Sequence, residues 1–276
     1  MNGSKIGFVL GGGGHRGAFE VGMLKALIEA GVLPDLVVGN SVGAFNGVAV
    51  ASEPSSAMVE KLESTWLHLP NTEVFQSSLW TRATTIIKHR THLHSSDPLR
   101  QMLEEFLPVR DFSELTVPFQ CVAACIEDAA EHWFSHGPLI PAILASSAVP
   151  GLLPPVEIGG RHYVDGGVVN SIPISRAVEL GTRVIYVMHV GHIDAPLEPP
   201  ARPWDVAMVA FEIARRHRFS RDMAMLPGDI EVHVLPTGDP EPRYNDPAKL
   251  RYSDFSVISE RIEQAYAATK EYLAGQ

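Results

Sequence analysis

From Lys5 onward the chain alternates short apolar runs with longer segments whose apolar residues recur every three or four positions. "KIGFVL" is an apolar run of strand length that ends on glycine, as a buried strand does. "AFEVGMLKALIEAG" places Phe19, Met23, Leu24, Leu27 and Ile28 at helical spacing and stops on Gly31. "PDLVVGNS" is a second short apolar run, and "VGAFNGVAVAS" a second helix made of small residues. Strand, helix, strand, helix in that order predicts a parallel sheet.

Residues 55–116 read as mostly helical, most clearly in "SAMVEKLESTWLHL" and "DPLRQMLEEFL". "VPFQCVAACIED" and "EHWFSHG" read as a strand pair. "LIPAILASSAVPGLLPPVEIGG" is a helix followed by a proline-rich turn, and "RHYVDGG" a short strand entering a tight turn. "TRVIYVMHVG" and "EVHVLP" are further strands, "VAMVAFEIARRHRFSRDM" an amphipathic helix and "SVISERIEQAYAATKEYLA" a closing one. The proline-rich stretch 192–203 reads as a plain connection rather than a lid. With no internal repeat and no low-complexity tract, the expectation is one α/β domain over residues 1–276.

Composition narrows the function. The 276 residues are 45% apolar, enough for a sizeable core, and carry a formal net charge of −10. That balance excludes a global basic footprint for nucleic acid and bulk attraction to anionic lipid. The two cysteines, Cys121 and Cys125, would lie on one face of a strand, about 13 Å apart at ~3.3 Å per residue. That is too far for a disulfide, so they read as buried thiols. The first apolar run is cut by glycine too early for a signal peptide, and no run is long enough to span a bilayer. The expectation is a cytoplasmic protein, with room for peripheral contact with a membrane.

Candidate chemistry begins with the glycine run 11–14. Glycine in a regular element is unfavourable by roughly 0.5–1 kcal/mol relative to alanine, so a run of four marks a sharp bend or a close approach. Gly12, Gly14 and Gly17 match the spacing of a dinucleotide-binding loop. Such a site wants an acidic residue at the end of the second strand. Asp35 instead precedes that strand, which ends in Gly39-Asn40-Ser41-Val42-Gly43. This G-x-S-x-G between a strand and a helix has the setting of a nucleophile elbow, with Gly39 and Gly43 relieving crowding around Ser41. Two parallel strands then end side by side in a glycine loop and an exposed serine, the pair that acyl transfer needs. Gly12, Gly13 and Gly14 are the candidate oxyanion donors, with the N–H of Val42 in support. The competing reading is an ordinary strand-to-helix turn capped by serine.

After Ser41 the best candidate acid is Asp165, which ends a short strand before Gly166 and Gly167. It also reads as a turn residue capping its own backbone. Three motifs in order, "GGGHRG", "GNSVG" and "DGG", resemble the patatin-like phospholipase family, and the likeness runs over nearly the whole chain through "ASSAVPGLLPPVEIGGRHYVDGGVVNSIPI". The resemblance implies a three-layer α/β/α fold with a mainly parallel sheet. It implies a Ser41–Asp165 dyad without histidine, a glycine-loop oxyanion hole, and hydrolysis of fatty acyl esters of lipids with no cofactor and no metal. The alternative is a non-catalytic lipid- or acyl-binding regulator on the same fold.

His15 stands at a variable position of the first motif. Arg16 reads as a pin for the glycine loop more than as a phosphate ligand. His89, His92 and His94 lack the carboxylates or cysteines that would fix a metal geometry. His189, at the end of a strand, is the candidate for a conventional triad. Arg215, Arg216, Arg218 and Arg221 read as a charged helix face on the core rather than a lipid-binding face. Asp229 and Asp239 fall in loops.

Overall fold

The computed structural model describes residues 5–68, 94–190, 196–197, 199–200, 203–239 and 257–276. The proline-rich stretch 192–203 and the histidines His89 and His92 lie wholly or largely outside them.

The described strands form an eight-stranded sheet: β1 (Ile6–Leu10), β2 (Leu36–Asn40), β3 (Phe119–Cys125), β4 (Ala130–Phe134), β5 (Val156–Ile158), β6 (Arg161–Asp165), β7 (Val184–Met188) and β8 (Glu231–Val234). β3, β2, β1, β7 and β8 run parallel in that order. β4, β6 and β5 are antiparallel additions at the β3 side. The sheet is therefore mixed but mainly parallel. The short strand β5 falls in what the sequence reads as a proline-rich turn.

The helices are α1 (Ala18–Glu29), α2 (Val42–Ser52), α3 (Ser56–His68), α4 (Asp97–Phe106), α5 (Leu139–Ser146), α6 (Gly167–Asn170), α7 (Ile174–Glu179), α8 (Pro203–Ala224) and α9 (Ile258–Ala274). They cover both faces of the sheet, as expected of a parallel sheet whose strands are apolar throughout. Alternate residues of each strand serve opposite layers. Phe8, Leu10, Val37 and Met188 join the larger core with α1 to α5 and α9. Val9, Leu36, Val38, Ile185 and Val187 join a smaller one with Ile174 of α7 and Phe219 of α8. Cys121 and Cys125 are buried free thiols of β3.

One edge of β3 decides where the site lies. β2 pairs with its first half and ends with Asn40 opposite Val122. β6 pairs with its second half and ends with Asp165 opposite Ala123. β4 pairs with residues overlapping both, so it occupies the other edge. β2 and β6 thus meet end to end along a single edge, and the turn after each leaves the sheet at the same place.

Candidate active site

Ser41 follows β2 directly and caps α2 in a backbone conformation that side-chain-bearing residues rarely adopt, φ 53 and ψ −124. The close approach that forces this turn is visible at Gly43, where a Cβ would lie 2.4 Å from the carbonyl oxygen of Leu10. Gly39 faces the same turn, packed on the Gly43 carbonyl. The Ser41 N–H is held by the Ser146 Oγ at 3.0 Å. Ser146, the buried last residue of α5, also receives the Gly166 N–H on its carbonyl at 3.4 Å. One side chain and its backbone thereby tie the serine turn to the aspartate turn. Nothing in the sequence pattern singles Ser146 out, because its helix reads simply as an apolar core helix.

Asp165 is 6% exposed. Its Oδ1 accepts the Gly167 N–H at 2.7 Å, so the self-capping read from the sequence is present. The turn enters the short helix α6 rather than a hairpin. Burial pushes the carboxyl up to about 6, while the Ser41 hydroxyl, the Gly167 N–H and the Asn40 amide draw it back. The serine hydroxyl is thus near enough to act on the carboxylate, though short of a formed hydrogen bond.

The glycine loop crosses directly beside this pair. A Cβ at Gly12 would lie 2.5 Å from Asn40 Nδ2 and 3.3 Å from Ser41 Cβ. Gly12 itself is not a spare donor, because its N–H is bonded to the Ser171 carbonyl at 3.0 Å. This corrects the expectation that all three glycines offer N–H groups; Gly12 contributes close approach instead. Gly13 and Gly14 make no backbone hydrogen bond through their N–H groups among the described residues. Val42 opens α2, where an N–H has no partner within the helix.

A buried polar network supports the loop from beneath. Trp66 Nε1 donates to Asn46 Oδ1 at 2.9 Å, and Asn46 Nδ2 donates to Glu20 Oε2 at 2.7 Å and to the Gly17 carbonyl at 3.0 Å. Burial raises the Glu20 carboxyl well above its usual range, which favours the neutral acid in this position. Arg16 clasps the loop from outside, donating through Nε to the Val190 carbonyl at 2.5 Å and pairing with Asp239 at 3.1 Å.

Asn40 is fully buried between the loop and the aspartate turn, yet neither its Nδ2 nor its Oδ1 has a hydrogen-bond partner among the described residues. Such an unmade bond destabilises a fold by about 1–3 kcal/mol. In the sequence the only sign of it is an amide ending the apolar run "LVVG".

The remaining candidates lie elsewhere. The His189 ring faces Phe219 of α8, at 6.4 Å between centroids, and no histidine is among the groups acting on Asp165. His94 donates its backbone N–H to the Leu152 carbonyl. Arg215 and Arg216 turn inward onto Glu212, and Arg218 pairs with Asp222 and Glu131; Arg221 stays exposed. Asp229 and Asp239 sit in loops, each paired with an arginine, Arg183 and Arg16.

A family model described as patatin-like phospholipase matches residues 8–178, a span that contains the glycine loop, Ser41 and Asp165. Patatin-like phospholipase domain-containing protein ZK370.4 of Caenorhabditis elegans is 31% identical over 196 residues, 70% of this chain and 14% of that protein. Lysophospholipase nte1 of Aspergillus terreus is 28% identical over 196 residues, covering 70% of this chain and 12% of that protein. The chain thus spans only a small part of these relatives. In fold it is similar to VipD from Legionella pneumophila, with a TM-score of 0.50 and 15% identity over 99% of this chain and 67% of that one. The match of sequence across the glycine loop, the serine turn and the aspartate turn means that the chain belongs to the patatin-like phospholipase family.

Proposed function

We propose that the chain is a lipid acyl-hydrolase acting through an acyl-Ser41 intermediate with Asp165 as base. The observation that carries this reading is the strained Ser41 turn with its hydroxyl facing a buried carboxylate. As Ser41 Oγ bonds to the ester carbon, its proton passes to Asp165 and the carbonyl electron pair moves onto oxygen. The N–H groups of Gly13, Gly14 and Val42 are the candidate donors to that developing charge. Collapse breaks the bond to the alcohol, which takes the proton back from Asp165. Water then attacks the acyl-serine, gives a proton to Asp165, and Ser41 leaves with it. The balance is ester plus water to fatty acid plus alcohol, with no further reactant.

A carboxylate of ordinary pKa, about 3.9, is a weak base for a hydroxyl. Burial that lifts Asp165 to about 6 improves it, and the oxyanion donors lower the barrier further. Turnover should therefore rise with pH to a plateau, with a midpoint near 6.

The same reading extends to how a lipid is met. Along α8, Glu212, Arg215 and Asp222 are buried beside Val209 and Phe219, while Val206, Phe211 and Ile213 are exposed. The carboxylates among its described side chains, Glu212 and Asp222, both face inward, while Arg221 is exposed. Phe211 reaches the aspartate turn, 3.1 Å from where a Gly167 Cβ would lie. This face is suited to rest on a lipid surface beside the site.

The test is hydrolysis of p-nitrophenyl esters of graded chain length, with fluorophosphonate labelling, in wild type, Ser41→Ala, Asp165→Asn and His189→Ala. Loss in the first two variants with retention in the third is the expected result. Loss in a folded His189→Ala would replace the dyad with a triad. No turnover and no label in wild type would favour a lipid-binding regulator.

A further inference from the structure

We propose that Asn40 is a positioning residue of this site, its amide N–H groups holding the Asp165 carboxylate in place between the glycine loop and the 165–167 turn while the proton moves. The inference rests on the Ser41–Asp165 reading.

The sheet places Asn40 and Asp165 as neighbours, opposite the consecutive residues Val122 and Ala123 on one edge of β3. The amide is wedged on every side that matters. Its Nδ2 lies 2.5 Å from the position of a Gly12 Cβ and 3.3 Å from that of Gly167, and its Oδ1 lies 2.5 Å from that of Gly166. Any side chain at Gly12 or Gly166 would push it out. Three glycines thus make room for one amide whose Nδ2 and Oδ1 have no hydrogen-bond partner among the described residues. An apolar residue would suit this apolar strand and leave no orphaned group, so packing alone does not account for asparagine here.

The chemistry does account for it. Gly167 holds Oδ1 of Asp165, and the Ser41 hydroxyl addresses the carboxylate as proton donor. Asn40 Nδ2 is near enough to favour the charged carboxylate, though short of a formed hydrogen bond. When Asp165 receives the serine proton it must keep its orientation so that the same proton reaches the leaving alcohol. A second N–H on the carboxyl group, beside that of Gly167, stops it from swinging away. The bond tightens as the site fills, which is how catalytic hydrogen bonds often behave.

Asn40→Val and Asn40→Thr test this, because the two variants share a shape suited to a strand and differ by one hydroxyl donor. The measurements are kcat and KM for p-nitrophenyl butyrate, the rate of fluorophosphonate labelling, and thermal unfolding. For Asn40→Val the expected result is a fall of roughly 10–100-fold in kcat and in labelling rate, with KM within about threefold and no loss of Tm. Asn40→Thr should retain about tenfold more kcat than Asn40→Val, the worth of one donor. Equal kcat in the two variants, or a loss confined to KM, would overturn the proposal. Ser41→Ala and Asp165→Asn run in the same assay separate the two readings. If either keeps turnover, the dyad falls. If both are inactive while the Val and Thr variants match, only the role of Asn40 falls.

Discussion

Ser41 at φ 53 and Asp165 with a carboxyl near pH 6 are both unfavourable for the fold. A left-handed non-glycine backbone of this kind stores on the order of 1–3 kcal/mol. For Asp165 the sign follows from linkage. Its folded pKa, about 6, exceeds the unfolded value of about 3.9, so the folded chain binds the proton more tightly. The associated stability is complete below about pH 4 and is lost as pH rises through about 6. The difference between those two values corresponds to about 3 kcal/mol. Asp165→Asn, neutral at every pH, should therefore be inactive yet more stable than wild type at pH 8, by up to about 3 kcal/mol, and nearly equal to it at pH 4. Denaturant unfolding at the two pH values checks this; a variant no more stable at pH 8 would refute it. At this scale the sequence exposed Ser41 and Asp165, because each sits in a short motif bounded by glycine. Ser146 stayed hidden, because its partners Ser41 and Gly166 are set by tertiary contacts rather than by neighbours in the chain.

Among the elements, α1 and α9 pack in close contact at Gly22, where a Cβ would lie 2.1 Å from the Ile262 carbonyl oxygen and 2.8 Å from the Tyr266 nitrogen. Both are backbone atoms and cannot rotate aside. In an isolated helix, alanine would gain up to about 1 kcal/mol over glycine. Here the helices must separate, and overpacking of that kind is unfavourable by about 1–3 kcal/mol. Gly22→Ala should therefore destabilise the protein by about 1–2 kcal/mol in a thermal or denaturant melt, once the propensity gain is offset. An increase in stability would show that α9 shifts freely over α1. The periodicity of both helices was legible in the sequence. Their crossing point was not, since Gly22 lies within an ordinary amphipathic repeat.

On the scale of the whole molecule, a chain with net charge −10 carries an exposed apolar stretch on α8, beside the aspartate turn. Ile213, 55% exposed, lies outside the candidate catalytic groups. Ile213→Glu should leave turnover of soluble p-nitrophenyl butyrate unchanged and lower both binding to phospholipid vesicles and turnover of esters presented in them, by roughly tenfold. Equal vesicle binding would assign this face another role. No helix among the described residues is long and apolar enough to cross a membrane.

The sequence by itself determined the alternation of apolar runs and helices, the parallel half of the sheet and the elbow around Ser41. Those features depend on periodicity and on glycine, which act over a few residues. The antiparallel pairing of β5 and β6 at the β3 side, and the engagement of the Gly12 N–H with Ser171, were decided only by the tertiary structure. So was the meeting of Ser41 with Asp165, 124 positions apart by subtraction of their numbers. It depends on two strands ending head to head on one edge of β3. Strand register is a long-range pairing, and no local pattern in either segment specifies which residue of β3 it will face.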